Sequence, residues 1–419
     1  YTTAIYIENV SHTGTAANVT ITYYNQDGSA AGTGDTTPVG GLPFWAGWTV
    51  RQNNGHSFSA GTAGWAAVAS DQEVAVFVNE FAPGASSDGS SYSSIQPGGS
   101  ATLFAPTIVN NAYGGYTTGI GLSNVANAAT VATITYRNSA GTVVKTQMSS
   151  LPAHGYVGLF SGDATLALPD GFTGTATITA GVTGMVAAVV NETGPGGQFN
   201  SYDAISAGAA DLFAAAALNS AYGGYTTGMA VQNTTGLPGT VTVDYYDGAG
   251  VKAATVSKAI VANGYLGIYQ GSLADGPPAS SSGYTAVIHS TQPIAAVVNE
   301  TAPGGSQVTS YNAEPNGSGY LNLALVENAG ADGWSTGVGL MNVTNASISF
   351  TATYFNANTG AFIKSTSLTL AAHAFMGLYT PADLPAGSRA TLWLSSTITG
   401  LAAICNEQGT STLMSYNGQ

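Results

Sequence analysis

The stretch Tyr116–Val125, which reads YTTGIGLSNV, decides the fold because three variants of it recur along the chain. The variants are YTTAIYIENV from Tyr1, YTTGMAVQNT from Tyr225 and WSTGVGLMNV from Trp334. A recurrence every ~110 residues indicates tandem modules of one fold rather than a single large domain. We therefore expect four modules, which span residues 1–99, 100–208, 209–317 and 318–419.

Each module is expected to consist of short strands. The segment Val131–Tyr136, VATITY, alternates apolar and polar residues with the period of a half-buried strand. Similar segments of roughly six to ten residues recur between Gly, Pro, Asn and Asp turns, and none keeps a helical period. About eight short strands per module are typical of an antiparallel β-sandwich of immunoglobulin-like type. The sequence therefore predicts an all-β protein with four immunoglobulin-like sandwiches in an elongated array.

The composition excludes several classes of partner. Only 7% of the 419 residues are charged, and 21 acidic against 7 basic residues give a formal net charge of −14. Because the basic residues are isolated, no patch could neutralise nucleic-acid phosphates or an anionic membrane surface. No apolar run reaches the ~18 residues that span a bilayer. We therefore expect no nucleic-acid partner and no membrane span.

The beginning of the chain departs from the repeat. An additional apolar segment precedes the second, third and fourth openings, for example ATLFAPTIVNNAYGG at residues 101–115, but none precedes Tyr1. We therefore expect module 1 to lack its first strand. A strand of another subunit could complete this sandwich, and such a head-to-tail contact would build a fibre. Alternatively, the native chain continues beyond one end, because a chain that begins with Tyr1 is a mature segment or lacks a terminus.

An Asn–Glu pair ends an apolar strand in every module, as in AAVVNE at residues 187–192. A catalytic role would require a second carboxylate nearby, and no other acid recurs at a fixed position in all modules. We therefore expect no enzyme, and interpret each pair and the following Ser-Tyr strand as structural anchors of the loop between them. A ligand-binding or interface role is the alternative. The predicted anchors are Asn79, Glu80, Asn191, Glu192, Asn299, Glu300, Asn406, Glu407, Tyr92, Tyr202, Tyr311 and Tyr416.

Two of the four pairs also match the N-glycosylation pattern Asn-x-Ser/Thr, but the other two do not. Glycan attachment therefore cannot explain why the pair recurs, and in a chain rich in Asn and Thr such matches also arise by chance. Covalent glycans remain a candidate modification of this charge-poor surface. The matching positions are Asn9, Asn18, Asn191, Asn233, Asn299, Asn316, Asn342 and Asn345.

The other chemically distinctive residues favour structural roles. His154 and His373 occupy matching positions, but no second ligand lies at a metal-like spacing, so we expect no metal site. Cys405 stands where sibling modules have Val190 and Val298, which indicates a core residue. Phosphate-binding loops and other cofactor motifs do not occur, so we expect no cofactor.

A repeated motif such as VDYYDGAG places a second residue beside its core-facing tyrosine, on the opposite face of the strand. An aromatic residue there could bind a sugar or pack against a neighbouring module, and we favour packing. These candidate contact aromatics are Tyr24, Tyr246 and Phe355.

Taken together, YTTGIGLSNV, VDYYDGAG and AAVVNET resemble tandem sandwich repeats of secreted and cell-surface proteins from filamentous environmental bacteria. The resemblance extends over nearly the whole chain. It concerns a largely uncharacterised family and supplies no catalytic residues, but it implies an extracellular or cell-surface location. Chains with so little charge repel one another weakly. We therefore expect a structural subunit that self-associates into an extracellular filament or surface layer, with a cell-surface adhesin or carbohydrate-binding stalk as the alternative.

Overall fold

The computed structural model describes residues 1–81, 89–95, 98–182, 184–330, 333–409 and 412–419. Almost all regular elements are antiparallel β-strands. The others are one helical turn, α1 (Thr380–Asp383), and a 3₁₀ turn at Pro303–Gly305. The prediction of an all-β protein built from immunoglobulin-like sandwiches is confirmed.

Modules 1 and 2 contain the first half of the strands. The strands of module 1 are β1 (Thr2–Asn9), β2 (Val19–Tyr24), β3 (Ala30–Thr36), β4 (Gly47–Arg51), β5 (Trp65–Ser70), β6 (Val74–Phe81) and β7 (Gly89–Ser93). Those of module 2 are β8 (Thr102–Ala112), β9 (Tyr116–Asn124), β10 (Thr130–Asn138), β11 (Val143–Leu151), β12 (Tyr156–Phe160), β13 (Phe172–Ala180), β14 (Val186–Thr193) and β15 (Phe199–Asp203).

Modules 3 and 4 repeat this order, except that one long strand of module 3, β21, covers two successive strand positions. The strands of module 3 are β16 (Ala209–Ala217), β17 (Thr226–Asn233), β18 (Gly239–Tyr246), β19 (Lys252–Ile260), β20 (Tyr265–Tyr269), β21 (Tyr284–Thr301) and β22 (Val308–Asn312). Those of module 4 are β23 (Tyr320–Asn328), β24 (Ser335–Asn342), β25 (Ile348–Asn356), β26 (Phe362–Leu370), β27 (Phe375–Tyr379), β28 (Ser388–Ser395), β29 (Leu401–Gln408) and β30 (Leu413–Asn417).

Alternating side chains place one face of each strand in a sandwich core. In β10, Ala132, Ile134 and Tyr136 are at most 1% exposed, whereas Val131 is 40% exposed. Ile134 pairs across the sheet with Ile178 of β13, which is also fully buried. The alternation read from VATITY therefore specifies which side of the sheet faces the core.

Module 4 shows the complete sandwich, with one sheet in the order β23-β28-β25-β26 and the other in the order β27-β24-β29-β30. In modules 2, 3 and 4 the first strand (β8, β16 or β23) pairs with β13, β21 or β28. Module 1 has sheets of order β4-β1-β6-β7 and β3-β2-β5. Among the described residues, no strand pairs with the outer edge of β5.

The four modules close into a ring, because module 4 packs against module 1. The rings of Phe77 and Tyr416 stack with their centroids 4.2 Å apart, and the Gly47 amide donates to the Ala357 carbonyl at 2.7 Å. Buried residues of both modules belong to one apolar cluster. The elongated array expected from the sequence is therefore wrong. A repeat pattern indicates successive modules but not the angle between them, and that angle decides between a rod and a ring.

One glycine turn per module contacts the next module around the ring. Each of these glycines has a positive φ and lies against backbone atoms of its neighbour. A Cβ on Gly360 would lie 1.9 Å from the carbonyl oxygen of Phe44, so a larger residue requires module 4 to move away from module 1. The four glycines are Gly28, Gly141, Gly250 and Gly360.

Gly360→Ala should lower the melting temperature more than Gly387→Ala. The two residues have φ values of 70° and 82°, so each substitution adds a similar backbone strain of roughly 1–2 kcal/mol. Only Gly360 faces another module, whereas nothing lies within 4 Å of a Cβ on Gly387. Thermal unfolding followed by circular dichroism measures both variants, and equal losses would contradict a role of Gly360 in ring closure.

Candidate functional site

A buried tyrosine clamps the first strand in modules 2, 3 and 4. The Tyr202 hydroxyl donates to the Thr107 carbonyl oxygen at 2.6 Å and accepts from the Thr107 amide at 3.3 Å. Thr107 lies where the pairing of β8 with β13 shifts register, so the tyrosine fixes a β-bulge. The matching pairs are Tyr311 with Ala216 and Tyr416 with Leu325.

Among the described residues, no first strand lies beside the fourth tyrosine, Tyr92 of β7. Its hydroxyl forms no hydrogen bond with any residue that the structure describes. Its side chain is half-buried, whereas the tyrosines of the other three modules are 2–3% exposed. A phenol remains protonated at neutral pH. Tyr92 therefore offers a hydrogen-bond donor at the position where a first strand would lie.

The two sheets of module 1 leave apolar side chains uncovered between them. Ala66 and Val68 of β5 and Val74 and Val78 of β6 are all partly exposed. The residues at matching positions of modules 2, 3 and 4 are 0% exposed in sandwiches that include a first strand. These matching residues are Ala176, Ile178, Val186, Val190, Ala286, Ile288, Ile294, Val298, Leu392, Leu394, Leu401 and Cys405.

First strands also contribute to the interfaces between neighbouring modules of the ring, which we call the seams. A Cβ on Gly339 of module 4 would lie 3.2 Å from the Cβ of Ala216 in β16, and β8 and β23 likewise contact the module that follows. At the seam between modules 1 and 2, Val189 is partly exposed. Its counterparts, which are at most 1% exposed, are Phe77, Val297 and Ile404.

The uncovered surface thus continues from module 1 onto module 2, and we call it the open groove. It combines an unpaired strand edge, apolar side chains from two sheets and a free hydroxyl. Its residues are Ala66, Val68, Val74, Val78, Tyr92 and Val189.

The Asn–Glu pairs lie at the seams between modules. The Asn406 amide donates to Glu300 of module 3 at 3.0 Å, and the Asn79 amide donates to Glu407 of module 4 at 3.3 Å. Both bonds cross from one module to another. These two pairs therefore contact a neighbouring module.

Related hydrogen bonds occur near the seam between modules 1 and 2 and the seam between modules 2 and 3. Glu80 accepts from the Ser201 hydroxyl of module 2 at 3.4 Å, whereas Glu192 accepts from Thr107 at 2.9 Å and from Asn200 at 3.1 Å within its own module. Three asparagine side-chain oxygens also accept from serines of the following Ser-Tyr strands, so the pair and that strand are linked. These serine–asparagine pairs are Ser91 with Asn79, Ser310 with Asn299 and Ser415 with Asn406.

The four Ser-Tyr strands, β7, β15, β22 and β30, lie side by side at the centre of the ring. Polar side chains join them in sequence. The Asn312 amide donates to the Asp203 carbonyl at 2.9 Å, and the Asn417 amide donates to the Asn312 carbonyl at 2.8 Å. The Ser93 hydroxyl donates to the Asn417 carbonyl at 3.3 Å. Each bond joins two modules, so these strands form a hub that holds the ring together.

Burial controls the charge of the seam carboxyls. Glu300 and Glu407 are 2% and 1% exposed. Desolvation raises the pKa of Glu300 to about 7 and that of Glu407 to about 8, although the bond from Asn79 opposes the latter shift. Burial also raises the pKa of Glu192. At a pH below these pKa values the seam carboxyls are neutral acids, and burying a neutral acid costs less free energy than burying a carboxylate.

The candidate contact aromatics pack against rings of the next module across the seams. Each lies against a residue of the next module whose backbone has a positive φ. The pairs, with the distances between ring centroids, are Tyr24 with His154 at 4.7 Å, Tyr246 with His373 at 4.7 Å and Phe355 with Trp45 at 4.8 Å.

The candidate glycosylation positions differ in accessibility. Asn18, Asn316 and Asn345 are exposed, so a glycan can be attached there without unfolding the module. Asn191 and Asn299 are partly buried in ladders next to the hub. The remaining positions, which are 0% exposed, are Asn9, Asn233 and Asn342.

The buried members of this group are loop anchors that sequence reasoning missed. The Asn9 side chain donates to the Leu42 carbonyl at 2.9 Å and accepts from the Ser11 amide at 3.1 Å. The same bonding pattern recurs in every module. Its signal in the sequence is the asparagine at the last position but one in all four variants of the opening motif, namely Asn9, Asn124, Asn233 and Asn342.

Cys405 is fully buried in the core of module 4, and burial raises the pKa of its thiol well above the ordinary value. Across the described ranges, no group of three or more His, Cys, Asp or Glu side chains is arranged to hold a metal ion. The same part of the chain has no helix of sufficient length and hydrophobicity to cross a membrane.

No protein-family model matches this chain, and no curated protein does. Among solved structures, Thermotoga maritima 1070 matches at 12% identity over 25% of this chain and 94% of its own, with a TM-score of 0.21. The pilus backbone protein RrgB from Streptococcus pneumoniae matches at 17% identity over 55% of this chain and 80% of its own, with a TM-score of 0.13. Similarities this weak do not bear on function.

Glu407→Gln should flatten the dependence of stability on pH. The pKa of Glu407 rises from 4.5 to about 8 on folding, and that of Glu300 rises to about 7. The folded state therefore binds more protons in this window, so stability is full below about pH 4.5 and falls as the pH rises towards 8. Chemical denaturation across this range measures the effect. Glu73→Gln, at an exposed position, should leave the slope unchanged, and a wild-type stability that rises with pH would contradict this account.

Tyr202→Phe should destabilise the protein by about 1–3 kcal/mol, because it leaves buried backbone groups of Thr107 without a partner. Tyr92→Phe is the matched control, since its hydroxyl has no partner among the described residues. It should change the free energy of unfolding by less than about 0.5 kcal/mol. Urea denaturation of both variants tests the difference, and an equal loss would mean that Tyr92 already holds a strand.

Proposed function

We propose that this chain is a structural subunit of an extracellular filament or surface layer, and that a strand added at the open groove joins neighbouring subunits. The single observation that carries this proposal is the outer edge of β5. It pairs with β2 on one side only, among the residues described, and borders uncovered apolar side chains. Exposed strand edges are ready templates for pairing with another chain.

The geometry of the open groove favours a polymer over a closed dimer. In the part of the chain that the structure describes, the groove occurs once per ring, at module 1, and the surface that it offers is an acceptor rather than a self-complementary patch. A contact between two different surfaces is heterologous, so it extends from subunit to subunit unless its rotation closes. Each ring would then occupy one position along a filament or within a layer.

The ring has features expected of a subunit that packs densely against its copies. Its seams are closed by buried aromatic and neutral polar groups, and only 7% of its residues are charged. Weak repulsion between such surfaces favours close packing of subunits. An extracellular location follows the resemblance to secreted and cell-surface repeats, and exposed Asn18, Asn316 and Asn345 would be the positions for covalent glycans.

The proposal also assigns no catalytic role. The recurring carboxyls are the residues that a catalytic interpretation would use. Of these, Glu300 and Glu407 are almost fully buried and receive hydrogen bonds from asparagines of the next module. Such contacts are consistent with holding the ring together.

A second candidate function, carbohydrate binding, is favoured by three exposed aromatic residues. They end the short strands β12, β20 and β27 at matching positions and are 49–56% exposed. Flat rings of this kind can stack on sugars. The residues are Phe160, Tyr269 and Tyr379.

Electron microscopy of the purified protein tests the polymer. We expect ordered filaments or sheets from the wild type and isolated rings from Val68→Asp, because the variant places a charge in the open groove. Val131→Asp is the matched control on an exposed strand face and should still polymerise. Circular dichroism must show that both variants are folded. Monodisperse wild-type rings that bind a glycan array would contradict the proposal and support the second candidate.

A further inference from the structure

The residue that follows the Ser-Tyr pair of each hub strand forms hydrogen bonds in one direction around the ring. In module 3, the Asn312 side chain donates to the Asp203 carbonyl of module 2 at 2.9 Å. In module 4, the Asn417 side chain donates to the Asn312 carbonyl of module 3 at 2.8 Å. In module 1, the Ser93 hydroxyl donates to the Asn417 carbonyl of module 4 at 3.3 Å. Each of these side chains therefore donates to the hub carbonyl of the module before it.

Module 2 has an aspartate, Asp203, at the fourth position of this cycle. The hub strands beside β15 are β7 and β22, so the matching bond would join the Asp203 side chain to the Ser93 carbonyl of module 1. A carboxylate has no proton to donate to a carbonyl oxygen. In agreement, Asp203 Oδ1 is buried and forms no hydrogen bond with any residue that the structure describes. The cycle thus lacks one donor as long as Asp203 is ionised.

No positive charge acts on the Asp203 carboxyl within the part of the chain that the structure describes. None of the seven basic residues belongs to a hub strand. On the β14 side Asp203 pairs with Val189, and beyond β22 the charged group that acts on it is Glu314. Burial raises the pKa of Asp203 well above its ordinary value, and Glu314 raises it further. An unpaired carboxylate is costly in such a place, whereas a protonated carboxyl has a hydrogen to donate.

The titratable group that faces Asp203 from β7 is the phenol of Tyr92. Burial raises the pKa of Tyr92 well above its ordinary value, and the carboxyls of Glu80 and Asp203 raise it further. Asp203 therefore lies close enough to module 1 to act on it, as the direction of the cycle requires. Because a phenol is neutral near pH 7, Tyr92 supplies no charge that would hold Asp203 ionised.

We infer that Asp203 is a proton switch of the ring: its protonated carboxyl donates to the Ser93 carbonyl and completes the hydrogen-bond cycle of the hub, and its deprotonation loosens the seam between modules 1 and 2. This inference goes beyond the proposed function and holds whether or not the rings polymerise. The seam concerned is the one that no first strand of the described chain contacts, since β8, β16 and β23 contact the modules that follow them. The loss of one hub bond should therefore matter more there than at the other seams.

The sign of the pH dependence follows from the proton that the folded state holds. The folded protein binds this proton more tightly than the unfolded chain does. Its contribution to stability is therefore full below pH 3.8, the ordinary pKa of the side chain. It is lost as the pH rises through the raised pKa of the folded state.

Asp203→Asn supplies permanently the amide donor that modules 3 and 4 already have at this position. We expect the variant and the wild type to melt at the same temperature near pH 4, because the wild-type carboxyl then donates as well. The difference should widen with pH until the variant melts at least about 2 °C higher at pH 8. Circular dichroism measures both proteins, and Asp170→Asn, at an exposed position, is the control that should match the wild type throughout.

Two outcomes of this comparison would overturn the inference. A variant that melts below the wild type at pH 8 would mean that the amide cannot replace the carboxyl in the cycle. A difference that stays constant from pH 4 to pH 8 would mean that no proton is involved.

Hydrogen exchange followed by mass spectrometry tests which seam the proton controls. The wild type and Asp203→Asn are compared at the same pH, so their intrinsic exchange rates are equal. At pH 8, peptides that contain β7 and β15 should exchange roughly fivefold more slowly in the variant. Peptides that contain β30, which lies opposite β15 in the hub, should not differ. Equal changes in all hub strands would contradict the assignment to the seam between modules 1 and 2.

A bound cation is the other way to neutralise Asp203 beside Glu314, because carboxylate and amide oxygens are typical calcium ligands. Titration of the wild type with calcium chloride at pH 8 separates a cation from a proton. We expect its melting temperature to respond no more than that of Asp203→Asn. A calcium-dependent rise that occurs in the wild type and disappears in Asp203→Asn would overturn the proton switch.

Discussion

The first strand of each complete module is the constraint on which the ring depends, because it is buried on both sides. In β16, Leu212 and Ala214 lie in the core of module 3, while Ala216 contacts module 4. A strand covered on both faces reads as a nearly continuous apolar run instead of an alternating one. One element thus completes a sandwich and creates the surface for the next. Its absence from the described part of module 1 affects two modules, which explains why Val68 and Val189 are both uncovered.

The low charge of the chain also follows from this architecture. A ring of four sandwiches buries its hub strands and its seams, and every group placed there must be neutral or hydrogen-bonded. Asparagines meet this requirement at Asn312 and Asn417, and glutamic acids with raised pKa values do so at Glu300 and Glu407. At Glu300 and Glu407 the recurring acid is thus a seam residue whose carboxyl is mostly protonated below about pH 7.

Sequence reasoning reached the all-β sandwich fold and its short strands, because these depend on local alternation and on the recurrence of motifs. It did not predict the ring. The alternation in β10 indicates which face of a strand lies in its own core, but it does not indicate which surfaces a neighbouring module buries. The signal was present in the continuous apolar run LFAAAALN at residues 212–219, which is too apolar for a strand with one solvent-facing side. The partner of Asn406 could not be read from the sequence for a related reason, as Glu300 lies 106 residues away.

The divergence of module 1 has a physical origin in ring closure. Three seams join modules that are linked by the chain, so their surfaces meet at a high effective concentration. The seam between modules 4 and 1 joins the two ends of the described chain and must rely more on contacts. This seam accordingly contains several aromatic contacts. Trp45 stands where modules 2 and 4 have histidine. Its ring stacks on Phe355, and its centroid lies 5.1 Å from that of Trp393. Module 1 therefore departs from modules 2 and 4 at Trp45, a position that packs in the seam with module 4.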